Sequence, residues 1–495
     1  MARYTRRRLL RRGASAAVAV GLLSQAELLA ACGGSGPEGR WSELERRLHG
    51  ELVRPGEPRY AAMSVPFNQR YASVRPAGIA ACADVSDVQE SIAWAREYEV
   101  PVAVRSGGHN YAGWSATEGL LIDVGRMRRV SVDDRSGTAT AGPGARNTEV
   151  YAGLQPHEMA ISAGRCPTVA IGGLVLGGGV GFSTRKLGLT CDSLLETTIV
   201  TADGHIRICS ETQEPDLFWA CRGGGGGNFG VNVSYKFQAQ PVGNVAIYDL
   251  EWDLRDGESV LAALQEVALA APADFSCRMG GGRAGLPGGG RGPAKVNVLG
   301  QLFGSRSELL DLLEPVLRVA RPTKKVIAAK SFWAAKDYFF HNTPSDRFQV
   351  KSAFVDEQVP ERGIQELLRG VASWPGSENA DGGGFAMFAL GGAVASRPAT
   401  ATAYPRRQAK FLLATDSSWS SRDPRRSEGA HLDWVEGFAA SMRPYTSRYA
   451  YTNFIDRTQG DWARAYYGEN LDRLRRVKRR YDSENFFSFG QSVPV

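Results

Sequence analysis

The sequence predicts a two-domain α+β fold, and three observations carry that reading. Short apolar runs alternate with glycine-rich turns from Tyr71 to about Gln240. Glycine supplies 58 of the 495 residues, against a usual ~7%. Near Val245 the texture changes to alternating strands separated by amphipathic helices. The first domain is placed at 33–244. The second, an antiparallel sheet covered by helices, is placed at 245–454.

In the first domain, Asp87 to Tyr98 reads as a helix with Val88, Ile92 and Trp94–Ala95 near one face. Pro101 to Val104, Leu120 to Val124 and Thr197 to Val200 are buried-strand patterns. In the second, Lys295 to Leu302 alternates as a strand, and Phe385 to Leu390 and Phe411 to Ala414 follow. Glu308 to Val319 and Arg362 to Val371 are amphipathic helices, and Gly280 to Gly292 reads as a flexible loop.

The formal charge of +7 does not describe a nucleic-acid binder. Six of the 59 basic residues and one of the 52 acidic ones lie in the first 32 positions, leaving +2 for the rest. That body has no broad basic footprint for phosphate backbones. The late run from Arg473 to Arg480 has helical spacing and reads as a solvated helix face. The early arginines form an address. Thr5-Arg6-Arg7-Arg8-Leu9-Leu10-Arg11 has the twin-arginine order, and the following apolar stretch is too short to span a bilayer. It ends in Leu29-Ala30-Ala31-Cys32-Gly33, which resembles a lipoprotein box. Residues 1–32 are thus read as a signal, with membrane attachment only through a lipid on Cys32 or, alternatively, simple cleavage after small residues. Export of folded protein by this route favours a cofactor already loaded.

Hydrolytic and metal chemistry find little support. His157-Glu158 lacks the second histidine of a zincin, Ser183-Thr184-Arg185-Lys186 lacks its companion motifs, and there is no Gly-x-Ser-x-Gly. The cysteines beyond Cys32 are widely spaced without a CxxC pair, so no metal site is assigned.

Three glycine-rich segments remain. Arg105-Ser106-Gly107-Gly108-His109-Asn110 follows directly on the strand at Pro101 to Val104, where successive backbone N–H groups can form an anion nest for a pyrophosphate. Gly164-Arg165-Cys166-Pro167 leads into Gly172-Gly173 and Gly177-Gly178-Gly179-Val180-Gly181. Gly223 to Gly227 runs into Asn228-Phe229-Gly230. Imidazole and thiolate are both nucleophiles able to add to an electron-poor ring.

These segments resemble the FAD-binding domain of the vanillyl-alcohol oxidase / p-cresol methylhydroxylase (PCMH)-type superfamily, specifically the berberine bridge enzyme-like flavoproteins. The C-terminal run Tyr466-Tyr467-Gly468-Glu469-Asn470, Tyr481-Asp482 and Asn485-Phe486-Phe487 is similar to that family's last segment. The resemblance implies that 455–495 completes the FAD domain. It implies FAD bonded through its 8α carbon to His109 and through C6 to Cys166, residues 57 positions apart. It implies cofactor contacts from Arg105, Ser106, Gly107, Gly108, Asn110, Gly172, Gly173, Gly177, Gly178, Gly179, Asn228, Asn453 and Asn485. The segment Tyr449 to Asp456 resembles the family's re-entry into the flavin domain, with a Tyr-x-Asn pattern near the ring. Tyr451 is the candidate base for removing an alcohol proton, and Tyr449, on the same strand face by alternation, is the other.

Val180 departs from the aromatic residue that many relatives carry there, which argues against a two-tyrosine mechanism. Val169 resembles the small residue associated with oxygen access, which favours an oxidase making hydrogen peroxide from O2. A dehydrogenase with another acceptor and a catalytically silent surface protein are the alternatives. The substrate is a small molecule: a carbohydrate, an alcohol or an alkaloid-like amine. Trp333, Tyr338, Phe385, Phe388 and Arg397 are candidates to line its site, between the two domains.

Overall fold

The computed structural model describes residues 37–342, 344–424 and 426–495. The signal, the lipid site at Cys32 and the export route fall outside the described residues. A helix, Pro37–Arg47, opens the described chain, and residues 47–495 form a separate unit built on three main sheets. Among the described residues no helix is long and apolar enough to cross a membrane.

The first sheet is small and mostly parallel. Its strands run in the order Glu51–Val53, Gly78–Ala81, Leu120–Asp123, Val102–Arg105, and the last three are mutually parallel. The helix Val85–Glu97 carries the chain from Gly78–Ala81 over to Val102–Arg105, the two strands that flank Leu120–Asp123. Asp84 caps it by accepting from the amides of Ser86 and Asp87, a contact worth about 1 kcal/mol. The second sheet is antiparallel: Val130–Asp133, Thr138–Ala141, Val231–Gln238, Leu194–Val200, Ile206–Ser210.

The third sheet has seven antiparallel strands, in the order Lys324–Ser331, Asn244–Asp253, Lys295–Leu302, Arg278–Arg283, Gly383–Ala389, Phe411–Trp419, Arg347–Val355. Strand side chains alternate faces. One set, including Leu250, Trp252, Val298, Met279, Met387 and Leu413, is buried under the helices Gly257–Ala270, Arg306–Val319, Glu361–Ala372 and Ser427–Met442. The other set faces a cavity, and it is this set that carries charge.

Three local expectations are corrected. Gly280 to Gly292 is not one flexible loop: Arg278–Arg283 is a central strand, followed by a short hairpin of Gly285–Leu286 and Gly290–Arg291. Glycine belongs there because the strands approach closely; a Cβ at Gly384 would lie 2.0 Å from the Gly281 carbonyl oxygen. Tyr449 to Asp456 is not a strand but an irregular stretch with a 3-10 turn at Thr452–Phe454. The helix Leu471–Tyr481 does expose most of its basic face, but Lys478 is fully buried. Its Nζ donates to the carbonyls of Asn228 and Phe487, both at 2.7 Å, and to Asp482 at 2.6 Å. Lys478 thereby ties the C-terminal segment to the third glycine-rich loop.

Candidate functional site

A cavity of about 1140 Å³ runs between the glycine-rich loops and the open face of the seven-stranded sheet. Ligands bind beyond the carboxyl ends of parallel strands, and the loop 106–110 leaves the strand Val102–Arg105 at that end. Gly107 sits against the second loop: a Cβ there would be 2.8 Å from the Ala170 amide nitrogen. Among the described residues, the amides of Gly107, Gly108, His109 and Asn110 donate to no protein acceptor. The same holds for Gly226, Gly227 and Asn228 on the far wall. Unengaged N–H groups on two loops facing one cavity form a cradle that FAD, with its pyrophosphate and ring carbonyls, can satisfy.

His109 and Cys166 meet at one hydroxyl. Thr168 Oγ1 is 3.0 Å from His109 Nε2 and 3.5 Å from Cys166 Sγ, and both residues line the cavity. Phe67 stacks on the imidazole with ring centroids 3.8 Å apart. Burial, with the nearby charge of Arg146, pushes His109 down to about 4, so the ring is neutral and keeps a lone pair. Cys166 differs from the other described cysteines. Cys82, Cys191, Cys209, Cys221 and Cys277 are buried, whereas Cys166 is partly open. Burial pushes the thiol of Cys221 up to about 11 and that of Cys277 to about 12, which makes them inert. Asn147 fixes the Cys166 loop by donating to its carbonyl at 2.8 Å.

The other expected cofactor residues divide. Ser106, Gly107, Gly108, Asn110, Gly172, Gly173, Asn228 and Asn453 line the cavity. Arg105 does not; its guanidinium is spent on the carbonyls of Ser115, Met63 and Ser64. Gly177, Gly178 and Gly179 lie behind the wall, packed on Asn453, Tyr404 and Thr190. Asn485 is exposed, in a left-handed turn with φ of +56°.

Neither tyrosine expected as base faces the cavity. Tyr451 Oη accepts from the Gly179 amide at 2.8 Å and from Asn453 Nδ2 at 3.1 Å, and burial raises its pKa well above the usual value. Tyr449 Oη donates to Glu469 at 2.8 Å under a cover of arginines. Alternation failed because the segment is not a strand. Of the five expected lining residues only Phe388 lines the cavity. Trp333 and Phe385 are core, Tyr338 is 38% exposed, and Arg397 reaches the Asp192 carbonyl.

Among the ionisable groups that do face the cavity is Asp416, on the strand Phe411–Trp419. Its pKa is pushed up to about 6, chiefly by burial; Arg278 and Arg165 oppose that rise and Asp381 adds to it. Arg165, Arg278, Asp381 and Asn297 share the wall. Tyr111 and Phe454 stack beside them with centroids 5.4 Å apart. Toward the sheet edge Lys324 pairs with Asp249 at 2.7 Å and Lys295 with Glu251 at 2.8 Å. Sequence reasoning missed Asp416, Thr168 and Phe67. Thr168 alone had a signal, its position two residues after Cys166.

Comparison with known proteins covers the same regions. The family described as FAD binding domain matches residues 76–210, and the one described as Berberine and berberine like matches 450–494. The chain is 33% identical over 469 residues to an uncharacterized FAD-linked oxidoreductase of Bacillus subtilis, YgaK, spanning 90% of this chain and 97% of that one. It is 30% identical over 445 residues to a monolignol oxidoreductase of Arabidopsis thaliana, across 82% of each. The solved structure of BBE-like 1 from Physcomitrella patens superposes with a TM-score of 0.82 at 25% identity, over 92% of this chain and 99% of that one.

Proposed function

The chain belongs to the berberine bridge enzyme-like family of FAD-linked oxidoreductases, and on that premise we propose that it oxidises a carbon bearing a hydroxyl group, in a sugar or a secondary alcohol, with O2 as acceptor and hydrogen peroxide as product. One observation carries this reading: a desolvated carboxylate, Asp416, stands on the wall of the cavity that also holds the His109–Thr168–Cys166 cluster.

FAD, when bound, would supply the two-electron acceptor between the substrate carbon and O2. His109 and Cys166 would hold its ring, through bonds to the 8α and C6 positions. The neutral imidazole and the open thiol support that assignment. The unengaged amides of the loops 107–110 and 226–228 would take the cofactor's oxygens. Asp416 receives the substrate O–H proton as the C–H bond breaks, so the alcohol becomes a carbonyl with no free alkoxide. A carboxyl near pKa 6 is ionised at neutral pH yet basic enough to share a proton. Phe348, Phe388 and Phe454 supply apolar wall that limits water around the reacting carbon. Val169 and Val180 leave apolar space in the same cavity, which supports access of O2.

The test is anaerobic mixing of the purified yellow protein with sugars, secondary alcohols and amines, followed by admission of air. Bleaching by a hydroxylated donor and recovery with one peroxide per turnover is the expected result. Bleaching by amines alone would reject the alcohol reading. Bleaching without recovery in air would reject the oxidase.

A further inference from the structure

We propose that Arg165 and Arg278 form a receptor for an anionic group, so that the alcohol oxidised by this enzyme carries a carboxylate, as a hydroxy acid or a uronic acid does. The proposal rests on the alcohol-oxidising reading above and narrows its substrate.

Two guanidiniums line one wall of the cavity. Each presents five N–H donors, and among the described residues neither side chain donates a hydrogen bond or forms a direct ion pair. Arg278 Nε is buried with no partner at all. Burial lowers the pKa of both, that of Arg278 to about 9, and a desolvated cation left unpaired is costly. The lysine that lines the cavity, Lys324, is by contrast held by Asp249 and Glu251. Asp381 Oδ2 and Asn297 Oδ1 on the same wall are also buried without a partner, so the two guanidiniums face two carboxylates, Asp381 and Asp416, with no direct contact between them among the described residues.

Charge during the reaction points the same way. Asp416 and Asp381 act on the arginines through space. When Asp416 takes the substrate proton it loses its charge, and two guanidiniums then face a single remaining carboxylate. A carboxylate on the substrate restores the balance at that moment. The geometry is also suited to a planar anion. Arg278 lies over the Phe388 ring at 5.6 Å, which restrains the plane of its fork, and a fixed guanidinium fork matches a carboxylate in a bidentate way.

The experiment titrates the flavin-loaded enzyme with three acids, glycolate, D-glucuronate and benzoate, and with their neutral counterparts ethylene glycol, D-glucose and benzyl alcohol. Perturbation of the flavin absorption reports Kd without need of turnover. At least one acid should bind about 10- to 100-fold tighter than its counterpart, the range for hydrogen bonds to a charged partner. Arg278→Met and Arg165→Met should each reduce that preference while keeping the bound-flavin spectrum, which certifies folding. No acid preference in the wild-type enzyme overturns the receptor, as does a preference that survives both substitutions. The two readings fail separately. Acid-selective binding without bleaching by any alcohol defeats the oxidase and leaves the receptor; bleaching by neutral alcohols without acid preference does the reverse.

Discussion

Replacing Asp416 by Asn removes the proton acceptor while keeping its size. Loss of a positioned general base slows proton transfer by about 10²- to 10⁴-fold, so anaerobic flavin reduction with a saturating donor should fall by that factor while the spectrum of bound flavin is retained. The wild-type rate should rise about tenfold per pH unit below the Asp416 pKa of about 6 and level off above it; the variant should lack that limb. Stability moves the opposite way. An unfolded aspartate releases its proton near pH ~3.9, but the folded one holds it to about 6. The native state therefore binds more protons between those values, and stability falls as pH rises through them. At pH 7 the cost is about 3 kcal/mol at most, and it vanishes below both pKa values. Asp416→Asn should thus raise the melting temperature at neutral pH and leave it nearly unchanged at low pH. Stopped-flow reduction and thermal melts across this range decide the matter. A variant that reduces flavin within about threefold of wild type would refute the base assignment.

Three further outcomes follow from the same geometry. Tyr451→Phe should leave the rate of flavin reduction within about threefold of wild type but cost about 1–3 kcal/mol, because the buried Gly179 amide loses its acceptor; a hundredfold loss in reduction with intact stability would restore Tyr451 as the base. Thr168→Val keeps the side-chain shape but deletes the hydroxyl shared by His109 and Cys166, and should slow covalent flavin attachment about tenfold, the worth of one hydrogen bond; flavin remaining in acid-precipitated protein measures it, and an unchanged time course would show the hydroxyl to be dispensable. Arg407→Leu should destabilise by about 3–5 kcal/mol by stranding Asp192, whose carboxylate Arg407 grips at 2.7 and 2.8 Å in a fully buried pair; a chemical denaturation midpoint equal to wild type would contradict this.

Much of the scaffold was legible because its strands are continuous apolar or alternating runs. Lys295–Leu302 was read to the residue, and the helix Val85–Glu97 to within two. The His109–Cys166 pairing was legible from a family resemblance, not from spacing, since only the fold brings the two to Thr168. What escaped was whatever depends on tertiary burial. Asp416 lies beyond the apolar run Phe411–Ala414 that marked its strand, and in sequence it looks like a polar residue after a strand has ended. Its chemistry comes from the neighbouring strands and loops that desolvate it. Arg278 was hidden for a different reason: its strand is rich in glycine, which local propensity reads as a loop, although close strand approach is what selects glycine there. Lys478 belongs to a basic helical run in sequence, yet it is the one member that turns inward to three acceptors.

The central claim is that two distant loops grip one flavin. Peptide mass mapping of the purified, digested protein tests it. The peptides containing His109 and Cys166 should appear joined through a single FAD. Recovery of both peptides at their unmodified masses, with all flavin released on denaturation, would contradict it.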